Sequence, residues 1–280
     1  MYFLCQYRHN GICLGYEALV RGHQRFGFSN IHELFDAAYR DGSLFRFDIW
    51  LREKAIKQFV LIKDYYKFKL FFNLENRIIF SDNYRPGMTL EILKEFNLAP
   101  DSICFEISER HELDCSSHDF LMIDNYKRQT YKIAIDDFGS GYSGLQLLYR
   151  AEPDYIKIDR FFVSGIESDS KKKLFMAKVV NLAHILGIRV IAEGVENEKE
   201  FRLCKEIKCD YVQGYFIQMP TVYIKELHGT YDIVKNLNAG EKRDITIDKL
   251  LLNEKMEYLE PICVYSHEKK YLTDLSAVFD

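Results

Sequence analysis

The chain has 280 residues, of which 48% are hydrophobic and 29% charged, a balance typical of a soluble globular protein. No apolar run is long enough to span a bilayer and the N-terminus lacks a signal-peptide layout, so we expect a cytoplasmic protein without a membrane partner. The net charge of −4 argues against general nucleic-acid binding through a basic face, and seven cysteines without a Cys-x-x-Cys pair favour reduced thiols over a disulfide framework.

Segments of β-strand character alternate with segments of helical periodicity along the first half of the chain. The spacing predicts strands at residues 3–6, 12–19, 67–74 and 103–108. It predicts helices at residues 31–39, 44–62, 90–96 and 119–128. Apart from the turn at 8–11, which joins the first two strands, this order is typical of an α/β protein.

The second half keeps this alternation around one unusual segment, residues 132–145. The segment starts as a strand, presents Asp136 and Asp137 at its end, and continues through a glycine-flanked turn at 138–141 into a helix. Further strands are predicted at 154–159, 189–192 and 211–213, and further helices at 144–150, 172–186 and 197–207. About eight strands over about 220 residues fit a closed (β/α)8 barrel of the TIM type better than an open sheet.

The pattern changes after residue 221. Residues 223–237 have helical spacing and are predicted to pack on the barrel as a helix. Residues 244–280 form a short charged piece, which is either a capping element or the start of a further domain. We therefore predict a barrel over residues 1–222 and a helical C-terminal extension over 223–280.

Polar residues occupy the C-terminal ends of the predicted strands, where barrel enzymes place their active sites. Two adjacent aspartates repel each other beside a packed strand, and a bound divalent cation would remove that cost. Taken singly, Asn73 can be a turn former and Gln213 the partner of a loop amide. Lys157 can pair with Asp159 or Asp136. As a set they are poorly explained as structural, and the set consists of Glu17, Asn73, Glu106, Asp136, Asp137, Lys157, Glu193 and Gln213.

Carboxylates with an amide oxygen form a hard donor set, which suits Mg²⁺ or Mn²⁺ and is a poor match for copper or structural zinc. Such sets commonly hold two ions about 3.5–4 Å apart and promote displacement at phosphorus. Lys157 could then neutralise transition-state charge or orient the attacking water, and Glu193 could bind the second ion or accept a proton. Alternatively, Glu17 could be an ordinary exposed acid beside Arg21, with no role in metal binding. The sequence therefore indicates metal-dependent chemistry on a phosphate ester.

Seven motifs, in a fixed order and spacing, carry a family resemblance. They are GYEALVRG (15–22), FNLEN (72–76), FEISER (105–110), IDDFGSGYSGL (135–145), YIKIDRFFV (155–163), VIAEGVEN (190–197) and QGYFIQMP (213–220). Together they resemble the EAL domain, a family of phosphodiesterases that linearise cyclic di-GMP to pGpG, over about residues 3–222. The resemblance implies a modified barrel whose first strand runs antiparallel to the rest, which the residue pattern alone does not predict.

The resemblance also implies two bound Mg²⁺ or Mn²⁺ ions and a ligand set for each. The positions that match the first-metal ligands are Glu17, Asn73, Glu106 and Asp136. The positions that match the second-metal ligands are Asp136, shared between the ions, Asp137 and Glu193, which lies near the attacking water. Because Ca²⁺ takes a looser and larger coordination, we expect it to inhibit.

Other matched positions concern the substrate and the assembly. Lys157 and Gln213 match positions that hold the waters or the reacting phosphate, and Leu19 and Arg21 match substrate-contacting positions. The segment that couples dimerisation to metal binding in the family is matched by Glu109 and by the 138–143 loop with Phe138, Gly139 and Ser140. The resemblance thus predicts a homodimer that binds cyclic di-GMP.

The chain departs from the family pattern at its start. Family members carry a Gln-Pro-Ile triplet in the strand ahead of the EAL glutamate, and residues 3–11 hold none. This predicts a trimmed or divergent N-terminus, which would affect the integrity of the first strand. Ser140 for the commoner Thr and Gly144 for the commoner Ser are mild changes. The leading hypothesis is a phosphodiesterase. The alternatives are a catalytically silent cyclic di-GMP receptor and a protein-interaction module that uses only the barrel surface.

Overall fold

The computed structural model describes residues 1–108, 117–141 and 144–232, together with residues 234 and 237. Within them, eight strands are hydrogen-bonded in sequence order into a closed barrel. The strands are β1 (Tyr2–Arg8), β2 (Cys13–Leu19), β3 (Lys69–Asn73), β4 (Ile103–Ser108), β5 (Lys132–Phe138), β6 (Tyr155–Ile158), β7 (Arg189–Ala192) and β8 (Tyr211–Val212). β1 is antiparallel to β2 and β8, whereas the other neighbours are parallel. The barrel with one antiparallel strand is confirmed.

The helices lie in the connections between strands, and polar caps fix several of their starts. Asn30 accepts a hydrogen bond from the backbone N–H of Glu33 at 3.0 Å, and Asn197 caps its helix in the same way. The described helices are α1 (Ile31–Arg40), α2 (Leu44–Phe59), α3 (Met88–Glu95), α4 (Ser117–Arg128), α5 (Gly144–Ala151), α6 (Arg160–Val163), α7 (Ser170–Ile185) and α8 (Glu198–Glu206).

The barrel interior is built in layers, because alternate residues of a strand face the same side. One apolar layer takes a residue from each of β3 to β8, and these residues are Phe71, Cys104, Ala134, Tyr155, Ile191 and Tyr211. Each is at most 2% exposed. The residue two positions after each of these faces the same side of the strand. These residues are Asn73, Glu106, Asp136, Lys157, Glu193 and Gln213. The predicted polar set therefore lies directly above the apolar layer.

The first strand is divergent in sequence but intact in structure. β1 is seven residues long and pairs Leu4 with Glu17 on one side and Tyr7 with Val212 on the other. Five consecutive residues of this strand are buried. β1 therefore forms in full without the triplet, because closing the barrel requires buried side chains and paired backbone groups, which this segment supplies.

The helix predicted over 223–237 does not form over residues 223–231. A single 3₁₀ turn, Ile224–Glu226, is the regular structure there. Thr221 and Thr230 each form a β-bridge with the β1–β2 hairpin. The apolar spacing in this segment reflects burial against the hairpin, and these bridges hold the backbone extended in place of a helix.

Residues Met1–Val234 form one compact unit, and residues 238–280 lie outside the described part of the chain. The domain boundary at 222 and the helical extension beyond residue 237 therefore stay predictions. In the part that the structure describes, no helix combines the length and apolarity needed to cross a membrane.

Candidate active site

Lys157 lies at the centre of the polar layer and is fully buried. Its Nζ atom lies 2.7 Å from Glu106 Oε1, 2.9 Å from Asp136 Oδ1, 2.9 Å from Glu193 Oε1 and 3.2 Å from Glu17 Oε2. The four carboxylates come from β2, β4, β5 and the end of β7. Because the barrel aligns these strands side by side, residues far apart in sequence converge on one ammonium group.

Two amide side chains complete the layer. Asn73 Nδ2 donates to Glu17 Oε1 at 3.2 Å and to Glu106 Oε2 at 3.3 Å. Gln213 Nε2 donates to Glu17 Oε2 at 2.6 Å and to Glu193 Oε1 at 3.5 Å. Glu17 is only 5% exposed, so it is not an exposed acid beside an arginine. The structure thus brings the two amides together with the acids.

Of the two ion pairs considered for Lys157, the one with Asp136 is present. Asp159 accepts a hydrogen bond from the backbone N–H of Phe161 at 2.7 Å and so caps α6. Lys157 pairs instead with Asp136 among the other acids. Lys157 therefore belongs to the polar layer.

Burial and mutual charge shift the ionisation of this cluster. Burial, reinforced by the charge of Glu17, raises the pKa of Glu106 well above its usual value, and burial likewise raises the pKa of Glu193. The pKa of Glu17 is lowered despite its burial, because Lys157 and Gln213 favour the ionised form. The carboxylates outweigh burial at Lys157 and raise its pKa, so the ammonium stays charged.

Asp137 reaches the site through an irregularity at the end of β5. The β5–β6 register shifts between Ile135 and Phe138, and Asp137 has a φ of 55°. In a regular strand, neighbouring side chains face opposite sides, yet Asp136 and Asp137 line the same cleft. A left-handed conformation at a non-glycine residue costs about 1–3 kcal/mol. Such strain at paired acids supports a functional role for the turn.

A cleft of about 230 Å³ opens beside the polar layer. Its walls include Asn73, Asp136 and Asp137, together with Leu19 and Arg21. The two residues predicted to contact substrate therefore lie next to predicted metal ligands. The cleft therefore opens at the polar end of the barrel.

The cleft has further walls that the sequence reasoning missed. They are contributed by α1 and by the segment after β3, and include His32, Phe35, Glu75 and Asn76. The FNLEN motif contains the last two and was the available signal for them. His32 and Phe35 carried no such signal, because only the packing of α1 brings them to the cleft.

The loop predicted to couple dimerisation with metal binding begins at a tight contact. Phe138 is buried, and Gly139 has a φ of 95° with its α-carbon close to the ring of Phe162. Ser140 Oγ donates to the Asp137 carbonyl oxygen at 2.8 Å. Glu109 and residues 142–143 lie outside the described residues. The coupling role of this loop stays a prediction.

The donor chemistry of the layer fits divalent cations. Its five carboxylates and one ammonium carry a formal charge of −4 when ionised, which two divalent cations would balance. Gln213 Oε1 is buried without a hydrogen-bond partner among the described residues. Within that same set, no three acidic, histidine or cysteine side chains are already spaced around an ion position.

Comparison with known proteins identifies the family of the chain and finds solved structures with a similar fold. A family model described as EAL domain matches residues 1–220. The signaling protein YkoW of Bacillus subtilis is 29% identical over 189 residues, which cover 67% of this chain and 24% of YkoW. The chain therefore matches about a quarter of that relative's length.

The solved structures with a similar barrel include those of PaMucR and BlrP1. The PaMucR phosphodiesterase in complex with c-di-GMP, whose MucR counterpart comes from Pseudomonas aeruginosa, aligns with a TM-score of 0.70 at 25% identity, over 81% of this chain and 93% of that one. Klebsiella pneumoniae BlrP1, in its manganese and cyclic di-GMP complex at pH 9.0, aligns with a TM-score of 0.68 at 29% identity, over 79% and 55%.

Proposed function

Because the chain belongs to the EAL domain family, we propose that it hydrolyses cyclic di-GMP to linear pGpG with two divalent cations, Mg²⁺ or Mn²⁺. The observation that carries this proposal is the convergence of four carboxylates on Lys157 beside a cleft of about 230 Å³. PaMucR and BlrP1 are complexes with the same dinucleotide, and one BlrP1 complex holds manganese, which supports the choice of substrate and cation.

The residues that would hold the cations follow from the layer. One cation would take Glu17, Asn73, Glu106 and Asp136, and the other would take Asp136, Asp137 and Glu193. When bound, the cations neutralise charge on the phosphate and lower the pKa of water toward neutrality. All of these residues lie at the polar end of the barrel, so the substrate phosphate would approach through the cleft.

The side chains of the chain supply the remaining chemistry. Glu193, whose carboxylate faces Lys157 and Gln213, would in its deprotonated form accept a proton from the attacking water. Water would attack phosphorus and give its proton to Glu193, and the bond from phosphorus to the 3′ oxygen would break. That oxygen would take a proton from solvent, to which Glu193 returns its own. Lys157 stays charged and opposes the negative charge that grows on the phosphate. Gln213 donates to Glu17 and Glu193, and Arg21, which lines the cleft, would pair with a phosphate oxygen.

The test is hydrolysis of cyclic di-GMP by the purified chain with Mn²⁺, with pGpG separated by chromatography. Glu17→Gln and Asp136→Asn should each lower the rate by roughly 100-fold or more, since each removes a charge from the reacting site. Glu198→Gln is the matched control, because Glu198 pairs with Arg202 on the exposed face of α8. A parent-like rate in either site variant would refute the assignment, and binding without product in the parent chain would favour the silent receptor.

We also propose that the chain forms a homodimer, as the family resemblance implies. Its helix α5 exposes Leu145 and Tyr149, which are 68% and 84% accessible and lie one helical turn apart on one face. Exposed apolar groups at this spacing are suited to contact with a second copy. Inhibition by Ca²⁺ stays a prediction of the same proposal.

A further inference from the structure

Gln6, in the middle of β1, is a fully buried amide that faces the barrel interior. Its neighbours in the strand face outward. Cys5 Sγ lies 2.7 Å from Cys13 Sγ, and the ring of Tyr7 packs edge-on against Tyr231 with 4.6 Å between centroids. Since side chains alternate along a strand, Gln6 points the opposite way, into the barrel.

The pairing of β1 with β8 brings Gln6 beside the polar layer. In this antiparallel pair Arg8 is opposite Tyr211 and Tyr7 is opposite Val212. Continuing the register by one residue sets Gln6 opposite Gln213. Opposite residues of antiparallel strands share a face, with Cβ atoms about 4.5–5.5 Å apart. On the other side of Gln6 the paired residue is Gly15, which adds no side chain to that face of the barrel.

The unmet hydrogen-bonding groups of these two amides are complementary. Neither Gln6 Nε2 nor Gln6 Oε1 has a hydrogen-bond partner in the described part of the chain, and Gln213 Oε1 also lacks one there. Gln213 Nε2, in contrast, is committed to Glu17 and Glu193. Buried amide groups are almost always paired, so three unmet atoms on two facing amides require an explanation. Gln6 offers a donor and Gln213 an acceptor.

We infer that Gln6 is a positioning residue, which donates from Nε2 to Gln213 Oε1 across one ordered water. This bond fixes which end of the Gln213 amide faces Glu17 and Glu193. With the amide turned over, its oxygen would face two carboxylates and the hydrogen bonds to them would be lost. Gln6 therefore acts on the site through Gln213. Its effect on chemistry rests on the proposed function, whereas its effect on cation binding can be measured separately.

The experiment compares Gln6→Met, Gln213→Met and the double variant in the full chain. Methionine keeps the length of glutamine and removes its polar atoms. The readouts are the Mn²⁺ concentration that gives half of the thermal stabilisation, and kcat and KM for cyclic di-GMP. Gln6→Met should raise that Mn²⁺ concentration about 10-fold, as for other residues that orient ligands, and lower kcat more than it changes KM. In the Gln213→Met background, Gln6→Met should add nothing further.

The matched control is Gln58→Met on α2, where a buried amide oxygen also lacks a partner among the described residues. It should leave the Mn²⁺ response unchanged. If Gln6→Met does not fold, Gln6→Asn serves instead, because it keeps the amide and shortens its reach.

A merely structural role for Gln6 predicts the reverse result. Removing an unpaired buried amide would raise Tm, leave the Mn²⁺ response of the parent, and add independently to Gln213→Met. That outcome, in a parent chain that responds to Mn²⁺, overturns this inference alone. A parent chain with neither Mn²⁺-dependent stabilisation nor hydrolysis overturns the proposed function, and this inference with it.

Discussion

The ammonium of Lys157 separates acids that would otherwise repel one another in a buried setting. We expect Lys157→Met to lower the free energy of unfolding of the metal-free chain by about 3–5 kcal/mol, because it leaves buried charges uncompensated. Mn²⁺ should restore part of this loss, since cations would take over the same carboxylates. Denaturant unfolding with EDTA and with Mn²⁺ measures both effects.

A surface lysine provides the control for that variant. Lys173 pairs with Glu206 at 3.3 Å, and both side chains are largely exposed. Lys173→Met should therefore change the free energy of unfolding by less than about 1 kcal/mol. Equal losses in the two variants would mean that the buried cluster has no special dependence on its ammonium.

The raised pKa values of Glu106 and Glu193 give a pH dependence with a defined sign. The folded chain keeps protons on these groups that the unfolded chain releases. Their contribution to stability is therefore fully present below the ordinary carboxyl pKa of 4.5 and is lost as pH rises through the folded pKa values. Cations bind the deprotonated groups, so the rise in Tm that Mn²⁺ produces should be larger at about pH 8 than at about pH 6. Thermal unfolding at both pH values checks this, and a smaller Mn²⁺ effect at the higher pH would contradict it.

At the scale of single elements, the turn after β5 depends on a glycine. A Cβ atom on Gly139 would lie 2.5 Å from the ring of Phe162, and its φ of 95° already disfavours side chains. We expect Gly139→Ala to cost about 1–3 kcal/mol of stability and to lower hydrolysis, because the turn carries Asp137. Denaturant unfolding and the chromatographic assay measure the two effects.

Gly165→Ala is the control for this turn. Gly165 has a similar left-handed φ of 67°, but no atom lies within 4 Å of an added Cβ. Its alanine variant should therefore lose only the backbone contribution, about 1 kcal/mol. If both alanine variants lose the same stability and keep the same activity, the contact with Phe162 is unimportant.

The strands show how far the sequence predicts this site and where it stops. The two-residue period places Asp136 above Ala134 and Lys157 above Tyr155, and that relation can be read from the sequence alone. Gln6 could not be singled out, because its position beside Gln213 depends on a pairing between strands at opposite ends of the barrel domain. The direction of β1 likewise depends on chain closure, and only the family resemblance indicated it.

In the segment after residue 221, the sequence pattern predicted a helix that does not form. Its apolar residues recur at helical spacing, and two of them, Leu227 and Tyr231, are indeed buried. The spacing thus predicted burial correctly and the helix wrongly, because bridges to the β1–β2 hairpin satisfy the backbone there. Tertiary pairing of this kind leaves no local signal.

At the scale of the whole molecule, the proposed homodimer makes its own prediction. Replacing Leu145 and Tyr149 with aspartate would place charges on the exposed face of α5, so a dimer that uses this face should dissociate. Sedimentation of the parent and the double variant measures the mass of each. An Arg128→Asp variant on α4 controls for added negative charge. A parent chain that sediments as a monomer, or a double variant that stays dimeric, would contradict the proposed interface.

The layering of the barrel also bears on how such proteins evolve. The apolar layer beneath the site holds the strands together, and the side chains that would perform chemistry stand one pleat above it. Substitutions in the upper layer therefore change reactivity while the scaffold persists. A lineage can lose a carboxylate, keep its barrel and retain an opening for the dinucleotide. Enzymes and sensors of one second messenger can thus descend from the same ancestor, because the sensors inherit the barrel and lose only the side chains needed for hydrolysis.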